Sequence, residues 1–149
     1  MATADVPKNP SVDVETVRVE WLNRLRLLID RIERWAKELG WSTRRIEKKM
    51  KDSQLGTYRA PALILQEETA RVLLDPIARS APGAEGVVDL YLMPGWDDIA
   101  SLYYSDGEWQ LHYMFTESPT VSTIRDAESK PLSFETLKDV LEEMIKNAS

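Results

Sequence analysis

Apolar positions recur first with a helical period, then with a period of two, then with a helical period again. Over residues 13–39, Trp21, Leu25, Leu28, Ile32, Trp35 and Leu39 alternate in steps of four and three, and Leu22, Ile29 and Ala36 widen the stripe. Such steps stack side chains on one side of an α-helix, and Gly40 supplies a stop. Ser42 or Thr43 can cap a second, shorter helix through Lys51, with Ile46 and Met50 one turn apart on its inner edge. Residues 13–52 are therefore expected to form a helical pair. Residues 1–12 contain Pro7 and Pro10 with little apolar content, and are expected to form a flexible N-terminal arm.

The period changes at Pro61. Ala62–Gln66, Ala70–Ala78 and Gly86–Met93 are apolar, β-branched or alternating runs, separated by breakers such as Pro82-Gly83 and Pro94-Gly95. Residues 67–78 can be read as strand or as helix, and Pro76 marks a bulge, an edge or a strand end. The clearest signal is Asp106-Gly107, because a type I′ turn needs positive φ at both central residues. That turn pairs Ser105 with Glu108. Leu102 and Tyr104 then oppose Leu111 and Trp109 on one face, while Ser101 and Tyr103 oppose His112 and Gln110 on the other. An antiparallel meander of about five strands is expected over 60–116. A long connection follows, bracketed by Ser118-Pro119 and Lys130-Pro131. Ser133 then caps a closing helix over 133–147, striped by Phe134, Leu137, Val140, Leu141, Met144 and Ile145. The expected class is α+β, with 13–149 as a single domain.

Composition narrows the chemistry. With 149 residues and no cysteine, disulfides, thiolate nucleophiles and cysteine-ligated metals are excluded. No run approaches the ~18 apolar residues of a membrane span, and the N-terminus lacks the order of a signal peptide. A cytoplasmic protein without a membrane role is expected. The net charge of −6 divides unevenly, with +4 over residues 1–60 and −10 over 61–149. Arg44, Arg45, Lys48, Lys49 and Lys51 concentrate the positive part in the basic helix 44–51.

Two surfaces carry candidate function. In the run Gly86–Met93, Asp89 and Tyr91 point away from Val88, Leu90 and Leu92. If that strand neighbours the hairpin, Asp89, Tyr91, Ser101, Tyr103, Gln110 and His112 share one sheet face. A triad of Ser101, His112 and Asp89 can be drawn there. However, a serine in mid-strand has neither an exposed turn nor an oxyanion hole, so no catalytic residue is assigned. Asp97, Asp98, Glu85 and Asp89 could supply oxygen ligands, but no regular metal-binding spacing is present, and no metal or cofactor is assigned. Asp89 with Glu108-Trp109-Gln110 matches a short nuclease pattern, with Gln where that pattern has Lys.

The expected function is a non-catalytic protein-interaction module, an adaptor, chaperone-like or immunity-type protein. It binds a protein partner through the sheet face and forms a homodimer through helix 13–39. The alternatives are a nucleic-acid-associated accessory protein using the basic helix, and a metal-dependent hydrolase or nuclease.

Overall fold

The computed structural model of the chain describes residues 10–113 and 128–148. Helix α1 spans Pro10–Glu38. It opens inside the segment expected to be an arm, since proline is favoured in the first turn, where its missing N–H costs nothing. It closes in a Schellman arrangement: Gly40 takes a φ of 91°, and the Trp41 amide donates to the Ala36 carbonyl at 2.9 Å. Among the described residues seven strands follow: β1 (Ser42–Asp52), β2 (Gly56–Gln66), β3 (Arg71–Ala78), β4 (Val87–Met93), β5 (Asp97–Ser105), β6 (Glu108–Tyr113) and β7 (Glu128–Pro131). Helix α2 (Phe134–Ala148) ends the described chain. The strands form one antiparallel sheet in sequence order. The α+β class stands, with seven strands rather than about five.

The expected second helix is β1, so the helical pair and the helical reading of 13–52 are corrected. Ile46 and Met50 stand four residues apart. That is one turn of helix, but it is also an even number of strand steps, so both periods accept the same two residues. The turn decides between them. The Asp52 carboxylate accepts hydrogen bonds from the Gln54 and Leu55 amides at 2.6 and 2.9 Å, and Gly56 takes a φ of 78°. This three-residue turn sets β1 against β2 from Ser42↔Gln66 to Asp52↔Gly56. The second added strand, β7, lies at the end of the expected long connection. The earlier part of that connection, and residues 114–116 of the expected sheet, fall outside the described residues.

Residues 71–78 are strand, and the register of β3 with β4 shifts between Pro76 and Ala78, the bulge that proline imposes. The β5–β6 hairpin has the expected register, from Ser101↔His112 to Ser105↔Glu108, with φ of 52° at Asp106 and 78° at Gly107.

Both helices pack on one sheet face. Leu63, Leu65, Val72, Leu74, Val88, Leu90, Ala100, Leu102, Trp109 and Leu111 are buried there against Trp21, Leu25, Leu28, Ile29 and Ile32 of α1 and Leu137, Val140, Leu141 and Met144 of α2. Ser133 caps α2 as expected, its hydroxyl accepting from the Thr136 amide at 3.1 Å. Along the β1–β2 ribbon the buried side changes. Tyr58 and Met50 have the opposite parity to Leu63 and Leu65 yet join the same core, and the Trp21 indole N–H donates to the Tyr58 hydroxyl at 3.0 Å. Right-handed strand twist, accumulated over an 11-residue ribbon lying along α1, turns the opposite parity toward the helix.

The α1 stripe that suggests a homodimer is largely used inside the chain: Trp21, Leu25, Leu28, Ile29, Ile32 and Ala36 are buried. Val19 and Leu27, which lie off that stripe, are exposed at 49% and 66%. Among the described residues, no helix is long and apolar enough to cross a membrane.

Candidate functional site

The six residues expected on the second sheet face do share it. The pairings Asp75↔Asp89, Asp89↔Ser101, Ser101↔His112 and His112↔Ser129 form one row across five strands. A parallel row runs Arg44↔Ile64, Ile64↔Leu73 and Leu73↔Tyr91. Tyr103 pairs with Gln110 one step further along. Most of these side chains are half-buried, as expected of an open, curved face.

Asp89 is the hub of the hydrogen bonding. Ser101 donates to one of its carboxylate oxygens at 2.7 Å, and the Tyr91 hydroxyl donates to the other at 3.1 Å. The Tyr103 and His112 rings meet edge to face at 6.1 Å, and the buried Nε2 of His112 has no hydrogen-bond partner among the described residues. Sequence patterning passed over Asp75, a single acid inside an apolar run, which is 9% exposed in the floor of this face. The Lys48 ammonium donates to it at 2.8 Å and to the Pro76 carbonyl at 2.8 Å. Patterning also passed over Trp96, which falls in what reads as a loop, and Ile99, which reads only as the start of the hairpin strand. Trp96 sits edge to face with Tyr91 at 5.2 Å, in a left-handed backbone (φ 60°) that bulky residues rarely adopt.

This chemistry does not make a hydrolase triad. A triad places histidine between serine and carboxylate, so that the serine proton passes to imidazole. Here serine is in the middle, and its proton is held by Asp89. Tyr91 is no base either: burial, then the charge and hydrogen bond of Asp89, push its phenol up to about 12. Asp75 and Asp89 are adjacent carboxylates, but the Lys48 ammonium already neutralises Asp75. The nuclease pattern also comes apart in space. Asp89 is separated from His112 by Ser101 of β5, and Glu108 lies four residues from His112 along β6, about 13 Å at strand spacing.

The raised phenol has a measurable consequence. Its contribution to stability is fully present below pH 10 and is lost as pH rises through about 12, because the unfolded chain ionises first. In a phenolate absorbance titration, Tyr91 is expected to ionise late, together with Tyr58, whose phenol burial also raises. Tyr91→Phe should remove one late phenol. An unchanged late amplitude would show that Tyr91 is solvated.

The five basic residues do not form one patch, and this corrects the basic-helix reading. By register, Arg44 and Lys48 lie on one face of β1, and Arg45, Lys49 and Lys51 on the other. Arg45 clamps β1 to α1, reaching Asp30 and Glu33 at 2.7 Å each. That hydrogen bond holds the Glu33 carboxyl below its ordinary value. Lys48 is bound to Asp75. Arg44, Lys49 and Lys51 remain free of carboxylates among the described residues.

Comparison of the chain with protein-family models, with curated proteins and with solved structures finds no match. The functional reading therefore rests on this geometry.

Proposed function

We propose that the chain is a non-catalytic protein-interaction module whose sheet face opposite the helices receives a protein partner. The observation that carries this reading is the exposure of Trp96 (51%) and Ile99 (48%) beside Tyr91, at one end of a face that neither helix covers. Tryptophan and tyrosine are the residues that anchor protein interfaces, because they exclude water over a large area at low entropic cost. Holding Trp96 at positive φ costs on the order of 1–3 kcal/mol, strain of a kind that clusters at functional sites. Arg44 and Arg71 lie at the same end by register, so the partner presents apolar side chains flanked by acidic ones. Catalysis by Ser101 is disfavoured because its hydroxyl donates to Asp89 and not to His112.

The test is affinity capture from the native source, followed by a binding measurement with the purified partner. Trp96→Ala, and the triple change Asp89→Ala, Tyr103→Ala, His112→Ala, should each weaken binding at least about tenfold, with the far-UV spectrum retained. Undiminished binding by both variants would move the interface elsewhere. Hydrolysis of any substrate with Mg²⁺ or Mn²⁺ present, abolished by Asp89→Asn, would establish an enzyme instead.

A further inference from the structure

We propose that β1 is the docking edge for an extended acidic segment of a protein partner, which joins the sheet as an added strand. This rests on the interaction-module reading and gives it a second, chemically defined contact.

The two sheet edges differ. Edge strands usually avoid pairing with other chains by being short, by carrying proline, by bulging, or by displaying charge. The β7 edge is four residues long and ends in Pro131. The β1 edge is 11 residues long, contains no proline, and pairs with β2 without a register shift. Among the described residues no further strand pairs with its outward N–H and C=O groups, since β1 is the last strand in the order. Charge is the one device it has, and charge chooses a partner as well as rejecting one.

The sign of that charge selects the occupant. Arg45 and Lys48 are neutralised by Asp30, Glu33 and Asp75. Arg44, Lys49 and Lys51 are left exposed without a carboxylate among the described residues. A second copy of the chain pairing β1 to β1 would bring like cations together, which is unfavourable across strands. A nucleic-acid backbone needs cations converging on one track. Here Arg44 stands about 16 Å along β1 from Lys49, with the carboxylate of Glu47 between them in the strand, and Arg44 has the opposite parity to Lys49 and Lys51. An added strand meets both sets, because its own side chains alternate between the two faces. In antiparallel register, carboxylates at its first, third and eighth residues oppose Lys51, Lys49 and Arg44. An apolar sixth residue lies beside Ile46. Backbone pairing supplies affinity, and the carboxylate pattern supplies specificity.

The test uses the full chain and a synthetic ten-residue peptide with glutamate at its first, third and eighth positions, valine at its sixth and threonine elsewhere. A control peptide of the same composition carries its glutamates at the first, third and fifth positions, all on one face. Micromolar to sub-millimolar binding is expected for the first peptide, with the outward amides of β1, at every second residue, protected from hydrogen exchange. Lys49→Glu with Lys51→Glu should weaken that binding about tenfold or more while the fold is retained. The control peptide should bind several-fold more weakly. No binding at millimolar peptide, or protection confined to residues outside β1, would overturn the proposal, as would a salt-sensitive shift of duplex DNA or RNA that the double variant abolishes. Loss of this binding with the Trp96-dependent partner still captured would remove the added strand and leave the interaction-module reading in place.

Discussion

Trp109→Ala is expected to cost about 3–5 kcal/mol of folding stability, whereas Gln110→Ala, the next residue along β6, is expected to cost under about 1 kcal/mol. Trp109 is 5% exposed and stands edge to face with Tyr104 at 5.1 Å. Its ring also lies against Gly86, where an added methyl carbon would sit 3.3 Å from it and 2.7 Å from the ring of Trp21. The two indoles and the glycine therefore interlock, so the walls cannot close over the void that truncation leaves. A cavity that cannot collapse places the loss toward the upper end of the range. Gln110 is half-buried on the opposite face beside Tyr103, and its truncation removes no core volume. Urea melts of the two variants measure the difference directly. Equal losses would mean that the alternation of faces along β6 is wrong.

That contrast is legible in the sequence, because the Asp106-Gly107 turn leaves one register and each strand step flips the face. The same logic brought Asp89, Tyr91, Ser101, Tyr103, Gln110 and His112 onto one surface, with no input except alternation and an assumed neighbouring strand. Alternation failed where it was ambiguous. In Ser42–Asp52 two apolar residues four apart satisfy strand and helix equally, and the charged residues between them fit a solvated helix face as well as an edge strand. The information that separates the two readings lies outside the segment, in the hairpin turn at Asp52–Gly56 and in the length of β2 that pairs with it. Tertiary pairing overrode local propensity there. A four-residue strand such as β7 has too few positions to show any period.

The candidate site was legible in its members but not in its bonding. Spacing cannot tell that Ser101 gives its proton to Asp89 instead of His112, because both partners flank it at one strand spacing. Asp75 and Lys48 were hidden for a related reason. They lie 27 residues apart, and each looks unremarkable in its own strand: an acid before a proline, and one lysine among several. Only the sheet order, which carries Lys48 past β2 to β3, makes them a pair.

The pair gives the second large effect. Lys48→Glu is expected to cost about 2–3 kcal/mol, below the range for a fully buried pair because the Lys48 side chain is 36% exposed, while Lys49→Glu, its neighbour in sequence, should cost about 0.5 kcal/mol or less. Asp75 lies in the floor of the open face with its side chain 12% exposed, and among the described residues Lys48 is the cation within ion-pair reach of it. Removing a partner strands a desolvated carboxylate. Reversing the partner's sign adds repulsion at close range, and the Pro76 carbonyl loses its donor as well. Lys49 is on the other face of β1, opposite Arg59, and exposed, so a carboxylate there meets water and a cation. The two substitutions change net charge equally, which removes any overall charge effect from the comparison. Asp75→Asn in the Lys48→Glu background should recover more than half of the loss, since the amide can donate to the new carboxylate where the old carboxylate repelled it. Chemical denaturation of the two single variants and the double variant measures all three. Equal costs for Lys48→Glu and Lys49→Glu would show that Lys48 is solvated and that Asp75 does not depend on it.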